Sequence, residues 1–392
     1  MKILLVSYME PDAPCGVRTY YQLLREGLAA DGHEVRLITP LCAPYAVQWL
    51  TGGCRRLGGL GGGYADLVAT ELKNWWRIRA AVRALDWVPD LVHAQDVGSG
   101  TATAAALRHD CPVLVTAHFN EDPVDEILDR NRLSGRPSRW LRRRLARQFA
   151  GIRHYVAPSR HAAEGLQRWL TTDSKVNVIP NACDFRAIGA SRPADDLRVL
   201  GLNRKLILSA GTLESRKDPW FLLDLAAALA ACDDLLMLHA GDGPLRCELE
   251  AAIAARKLTN IRLLGHRPDL AAVMKNARLF IHFPQRETFG LVVIEAIAAG
   301  VPVLARRVGG IPEILGRVEN TCLYEAQAPA SFVARDILGR MRHSGDLARL
   351  AEEQHREALR RFDAPAFLQA MVETYRRLIE SRSGLIMKGG LS

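Results

Sequence analysis

The sequence predicts an α/β protein made of two doubly wound parallel-sheet domains, on three observations. Short, continuously apolar runs alternate with long helical patterns from end to end, the pattern of a parallel sheet covered on both faces. The alternation comes in two series with an aperiodic stretch between them. The length, 392 residues, exceeds one ordinary core and suits two domains of about 150–200 residues each.

The first series places strands at Lys2–Ser7, Glu34–Thr39, Leu91–Ala94, Val113–Thr116, His154–Ala157 and Lys175–Ile179. Helices at Val17–Asp31, Leu67–Arg83 and Pro137–Ala150 lie between them. The second series places strands at Lys205–Ala210, Leu235–Ala240, Ile261–Leu264, Leu279–His282 and Val301–Ala305, with helices at Trp220–Ala231 and Pro244–Arg256. The joint falls after Ile179-Pro180-Asn181, within Ala182–Pro193, where periodicity stops and Asp, Gly and Pro accumulate. A last helical pattern, Ala364–Ser381, carries Phe367, Met371, Tyr375 and Leu378 on one face and should pack against another surface. Gly58–Gly63 reads as a short flexible loop.

Composition narrows the class. Apolar residues make up 48% and charged residues 24% of the chain, a globular balance. No apolar run approaches the ~20 residues that cross a bilayer. The opening run from Met1 is broken by Glu10-Pro11-Asp12, too early for a signal peptide. Eight Cys lie far apart with no C-x-x-C pair, which points to reduced thiols and a cytoplasmic location. No close cluster of His, Cys or carboxylates suggests a metal, and a metal-independent protein is expected. Lys and Arg number 52 against 43 Asp and Glu, a net +9. The excess is local: Arg130–Ala163 holds ten Arg and no acid, leaving 42 basic against 43 acidic residues elsewhere.

Ligands of open parallel sheets bind outside the carboxyl ends of the strands, so two such domains facing each other would form a two-walled cleft. The richest segment runs from Pro284 through Glu287, Phe289, Gly290, Leu291 and Glu295 to Gly300 and Pro302. A strand ends, a loop with Glu287 and Gly290 follows, and a helix starts near Leu291. Gly290 lets backbone approach a ligand, and the free amides of the new helix attract an anion such as phosphate. Carboxylates at Glu287 and Glu295 suit neighbouring sugar hydroxyls. Arg216 and Lys217, in a loop at the carboxyl end of Lys205–Ala210, are two adjacent cations placed where they can meet a phosphate.

These residues resemble retaining glycosyltransferases of family 4. The resemblance rests on the E-x7-E spacing of Glu287 and Glu295, the Phe289-Gly290 between them, and the following Ala299-Gly300-Val301-Pro302-Val303 and Gly309-Gly310-Ile311-Pro312-Glu313. Ile179-Pro180-Asn181, Gly241-Asp242-Gly243-Pro244 and Asp90-Leu91-Val92-His93-Ala94 extend it over most of the chain. It implies the GT-B fold, two Rossmann-like doubly wound domains facing a central cleft. Residues 1–186 would then bind the acceptor and 187–363 the nucleotide sugar, with 364–392 a C-terminal helix packing back on the N-terminal domain.

The resemblance also implies roles. Glu287 contacts the donor sugar, Glu295 the ribose, and the backbone of Phe289-Gly290-Leu291 the sugar and phosphates. Many members carry an Arg directly after the Gly at Gly211; Thr212 stands there in this chain, so Arg216 serves instead, and Lys217 matches the usual Lys. His118, at the end of Val113–Thr116, lies near the reacting sugar and binds it. Gly16 is the one glycine left where members often have two, Cys15 occupying the other place. Arg267 falls where backbone contacts the donor base.

The basic window contains Arg139-Trp140-Leu141-Arg142-Arg143-Arg144-Leu145-Ala146-Arg147. Trp140, Leu141, Leu145 and Phe149 recur at helical spacing, with arginines around much of the remaining circumference. Either the stripe packs inward under a solvated Arg face, or that face meets anionic lipid headgroups or a phosphate-bearing acceptor at the inner face of a membrane. Lys73–Arg79, with Trp75 and Trp76, also mixes aromatic and basic residues. No nucleic-acid motif accompanies the charge. The expected function is transfer, with retention, of a sugar from a UDP- or GDP-sugar to a glycan, lipid-linked or small-molecule acceptor, with no cofactor beyond the donor substrate. A nucleotide-sugar epimerase of the same fold and a non-catalytic membrane-binding homologue are the alternatives.

Overall fold

The computed structural model describes residues 1–11, 16–52, 63–119, 122–130, 136–201, 204–318 and 322–389. Cys15, Arg132 and most of the Gly58–Gly63 loop lie outside the described residues. The chain divides into two compact units, Met1–Asn181 with Pro365–Ser392, and Ala182–Ala364. The division thus falls at Asn181, rather than after residue 186, and at Ala364.

The first unit contains β1 (Lys2–Val6), α1 (Gly16–Ala30), β2 (Glu34–Ile38), α2 (Tyr45–Gly52), α3 (Gly63–Arg83), β3 (Leu91–Ala94) and α4 (Val97–Ala104). It continues with β4 (Val113–Thr116), α5 (Pro123–Arg130), α6 (Arg136–Ala150), β5 (His154–Ala157), α7 (Arg160–Gln167) and β6 (Lys175–Val178). Its sheet has the order β2-β1-β3-β4-β5-β6, every pairing parallel. Ile3, Leu4, Leu5 and Val6 are fully buried, which is why β1 reads as an unbroken apolar run.

The second unit contains α8 (Phe185–Ala190), α9 (Asp195–Gly201), β7 (Lys205–Ala210), α10 (Pro219–Ala228), β8 (Leu235–Ala240), α11 (Arg246–Ala255), β9 (Ile261–Gly265) and α12 (Leu270–Met274). Then come β10 (Leu279–His282), α13 (Leu291–Ala298), β11 (Val303–Arg306), α14 (Ile311–Leu315), β12 (Leu323–Tyr324), α15 (Ala330–Arg342) and α16 (Ser344–Phe362). Its sheet order is β12-β11-β10-β7-β8-β9, again all parallel. The last helix, α17 (Ala364–Gly389), packs on the first unit: Phe367 sets its ring edge-on to Tyr20 at 5.4 Å, and Tyr375 OH lies 2.7 Å from His93 Nδ1.

Three features depart from the sequence expectation. Ala182–Pro193 is not aperiodic loop throughout, since α8 forms there, capped by the Asp184 carboxylate accepting from Ala187 N at 2.7 Å. Only Phe185 of that helix is buried, so it leaves no apolar stripe to read. β12 is two residues long, too short for any periodicity. And β11 starts at Val303, because Pro302 has no N–H to give a ladder. Gln354, buried on α16, takes the place of a neighbouring strand there: it accepts from Val303 N and donates to Val303 O, both at 2.8 Å.

Among the described residues, no helix is long and apolar enough to cross a membrane. Gln354→Leu leaves both polar groups of Val303 buried and unpaired; urea unfolding should show a loss of about 2 kcal/mol or more, at about 1–3 kcal/mol per orphaned group. A change within experimental error would contradict this role.

Candidate active site

Doubly wound sheets bind ligands where the strand order reverses, outside the carboxyl ends of the strands. In the second unit that point lies between β7 and β10. The loop leaving β7 runs through Gly211 into a tight turn, Ser215–Lys217, before α10. The loop leaving β10 runs from Phe283 to Gly290 before α13. The expected donor residues of this unit, Arg267 apart, thus sit in these two loops and in the helix that the second one starts.

The loops are joined twice. Gln285 N and Arg286 N donate to Arg216 O at 2.8 and 3.2 Å. Lys217 Nζ donates to Glu287 Oε2 at 2.5 Å, and His282 Nε2 lies 2.9 Å from the same oxygen. Glu287 is buried. Burial alone would raise its pKa, but the Lys217 charge and the bonds from His282 and Lys217 hold the carboxyl well below the usual range. An ionised carboxylate only accepts, so His282 carries its proton on Nε2. Burial lowers the His282 pKa against the opposing pull of Glu287, which keeps the ring neutral.

Two further groups fix the Glu287 loop. Gly310 N donates to Glu287 O at 3.2 Å, and a Cβ on Gly309, whose φ is +55°, would stand 1.7 Å from that oxygen. Arg306, buried at the end of β11, donates through Nη1 to Asp218 Oδ2 at 2.7 Å and to Pro284 O at 3.2 Å, with its guanidinium 4.8 Å from the Phe221 ring. One side chain therefore holds both loops. On the β7 side, His239 donates through Nε2 to Gly211 O at 2.9 Å and takes a bond from Ser209 Oγ at 2.7 Å. Burial lowers its pKa to about 4.

Arg216 pairs through Nη2 with Glu214 Oε1 at 2.6 Å, while its buried Nε has no partner among the described residues. Gly290, at φ +105°, opens α13; Phe289 before it is buried edge-on to Phe362 at 5.5 Å, and Leu291 is the first helical residue. The first amides of a helix lack intrahelical partners and favour an anion. Glu295 lies about one turn further along, and burial raises its pKa to about 7. Arg267 is bound to Asp196 at 2.6 Å and to Asp269 at 2.7 Å. Its guanidinium is thus engaged.

In the first unit, where strand order reverses between β1 and β3, His118 follows β4. Its Nε2 lies 3.1 Å from Gln95 Oε1, and the Tyr20 ring stands edge-on at 4.8 Å. Burial lowers its pKa to about 3. Behind it, His93 bridges Tyr375 OH and Thr116 Oγ1 at 2.7 and 2.6 Å, and Thr116 Oγ1 lies 3.2 Å from Tyr20 OH. Gly16 is exposed at the start of α1. On α6, Leu141, Leu145 and Phe149 are buried, so the apolar stripe packs inward. Arg142 pairs with Asp122 at 3.4 Å and Asp125 at 2.6 Å, and Arg144 with Glu71 at 3.8 Å.

Sequence reasoning passed over His282, Arg306 and His239. The signal for the first two was present: each is the polar last residue of an otherwise apolar strand, Leu279-Phe280-Ile281-His282 and Val303-Leu304-Ala305-Arg306. At that position a side chain reaches the ligand end of the sheet.

Two family models match, Glycosyltransferase Family 4 over residues 14–186 and Glycosyl transferases group 1 over residues 196–338. The chain is 27% identical over 391 residues to D-inositol 3-phosphate glycosyltransferase of Xylanimonas cellulosilytica, covering 94% of this chain and 93% of that one. It is 25% identical over 382 residues to glycogen synthase of Mycobacterium tuberculosis, covering 86% of each. Among solved structures, sucrose-phosphate synthase from Thermosynechococcus elongatus matches with a TM-score of 0.76 at 21% identity, over 97% of this chain and 100% of that one. Anabaena Alr3699/HepE in complex with UDP-glucose matches with a TM-score of 0.71 at 19% identity, over 96% and 100%. The two parallel sheets, the reversal points and both family matches lead to one conclusion: this chain belongs to glycosyltransferase family 4, has the GT-B fold, and transfers a glycosyl group from a nucleotide sugar.

Proposed function

We propose that the second unit holds the donor at the reversal point between β7 and β10, and that transfer retains the anomeric configuration. Lys217, Arg216 and the backbone of Phe289-Gly290-Leu291 bind the diphosphate. Glu287 accepts hydrogen bonds from the sugar and Glu295 from the ribose, and Arg267 contacts the base through its backbone. The observation that carries this reading is the buried Lys217–Glu287–His282 group, with the unpartnered Arg216 Nε in the same turn. It sets a cation and a sugar-binding carboxylate side by side where a sugar diphosphate needs both.

The leaving diphosphate is stabilised by these fixed charges and amides, while the acceptor hydroxyl attacks from the same face. Glu287 accepts two bonds already and lies far below its usual pKa, which suits a binding group rather than a nucleophile or an acid. His118, with a pKa of about 3, is too weak a base to take the acceptor proton and suits a hydroxyl-binding role; Gly16 would give close backbone approach. A UDP-sugar is supported by the UDP-glucose complex of the Anabaena neighbour; a relative named GDP-mannose-dependent keeps a GDP-sugar open. The relatives' names span glycan, small-molecule and lipid-linked acceptors.

The partner expected at Arg139–Arg147, an anionic membrane surface, rests on Arg139, Arg143 and Arg147. All three are exposed and make no ion pair with a described residue.

Lys217→Gln keeps a donor for Glu287 but removes the charge, and should lower kcat/KM by about 10²–10³-fold, the scale of one lost oxyanion-type contact. Steady-state release of nucleoside diphosphate checks it, and near-normal turnover would overturn the phosphate assignment. Glu295 titrates near 7, and its ionised form is the better acceptor for ribose hydroxyls. UDP or GDP affinity, followed by calorimetry, should therefore rise from about pH 6 to about pH 8 and lose that component in Glu295→Gln. An identical pH dependence in both proteins would contradict the ribose role.

A further inference from the structure

Helix α2 is built inside out. Its polar side chains face the protein: Gln48 Nε2 donates to Leu41 O and Ala43 O at 2.9 and 2.8 Å, and Thr51 Oγ1 accepts from Arg77 Nε at 2.8 Å. Arg77 Nη2 also reaches Gln48 O at 2.9 Å, so α3 grips α2 by its polar side. The large apolar side chains point away. Tyr45 is 82% exposed, Trp49 73% and Leu50 68%, and no residue of the helix is buried. Leu41, one turn before Tyr45, is exposed as well, and α3 adds exposed Leu72 and Trp76 one turn apart. Single exposed apolar residues are ordinary; six on two joined segments are not.

Cations border this face. Arg79 places its guanidinium 5.0 Å from the Trp75 ring and 5.5 Å from the Trp76 ring. At about 100° per residue, Leu72 and Trp76 point outward between two flanks of α3. One flank carries Arg77 toward α2, and the other carries Glu71, which meets Arg144 of α6 at 3.8 Å. On α6, exposed Arg139, Arg143 and Arg147 recur every fourth residue and so form one stripe.

We propose that α2, the outer face of α3 and the arginine stripe of α6 form one docking surface for an anionic lipid bilayer. This rests on the membrane reading of Arg139–Arg147 and adds to it the part that enters the membrane. Tyr45, Trp49 and Trp76 have apolar bodies and polar tips, which suit the boundary between headgroups and acyl chains. Arg139, Arg143 and Arg147 meet the negative headgroups. Arginine charge alone gives binding that salt abolishes; the aromatic face supplies a component that salt leaves in place.

The test is sedimentation of the full chain with vesicles of phosphatidylcholine containing about 30% phosphatidylglycerol, against phosphatidylcholine alone. Wild type should bind the anionic vesicles. Trp49→Ser/Trp76→Ser should weaken binding by at least about tenfold, and Arg139→Glu/Arg143→Glu/Arg147→Glu should remove the preference for phosphatidylglycerol. UDP or GDP affinity should stay unchanged in both, showing that the fold is kept. Anionic binding that the arginine variant loses and the tryptophan variant keeps would overturn this proposal and leave the arginine reading standing. No vesicle binding by wild type would overturn both. A concentration-dependent dimer lost in the tryptophan variant, without vesicle binding, would assign the face to a second copy of the chain instead.

Discussion

The carboxyl end of the second unit's sheet depends on one buried ion pair. Lys217 and Glu287 stand on loops that leave different strands, and their bond, shared with His282, fixes one loop against the other. A buried charge that loses its partner costs about 3–5 kcal/mol, so the two loops cannot drift apart independently. The surroundings are shaped to this constraint. Gly309 has no side chain because Glu287 O occupies the space, and Gly241 has none because a Cβ there would lie 1.9 Å from Gly211 O. Arg306 ties Asp218 to Pro284, one residue from each loop. The result is a cation and a carboxylate held side by side at the reversal point of the sheet.

The histidines follow a common logic. His93, His118 and His239 are driven well below their ordinary pKa by burial, and His282 is lowered too. They act as neutral hydrogen-bonding rings: His282 donates to Glu287, His239 to Gly211, and His93 links Tyr375 of the last helix to Thr116 at the end of β4. In the turn after β7 the positive charge comes from Arg216 and Lys217, whereas the +9 of the chain has a different origin. It lies largely on α6, where some arginines are internal ties to Asp122, Asp125 and Glu71 and others face outward.

Much of this was legible in the sequence. Strands buried on both faces, such as Leu235–Ala240, declare themselves because every residue but His239 is apolar. The spacing of Glu287 and Glu295 was readable because a turn and a helix N-terminus need Gly290 between them. What could not be read depends on tertiary partners. Nothing local tells that Asp218 holds Arg306, or that Asp196, far away in sequence, engages Arg267. The helix α8 and strand β12 are too short to show a period. In helix α2 the large apolar residues Tyr45, Trp49 and Leu50 are exposed, and only the bonds of Gln48 and Thr51 reveal which side faces the protein.

The most direct measurement of the central claim is a crystal structure of the protein with UDP or GDP bound. The account predicts the diphosphate on Lys217 Nζ, Arg216 Nε and the first amides of α13, with the ribose hydroxyls on Glu295. A diphosphate bound elsewhere, with the Lys217, Glu287 and His282 side chains untouched by the ligand, would contradict it.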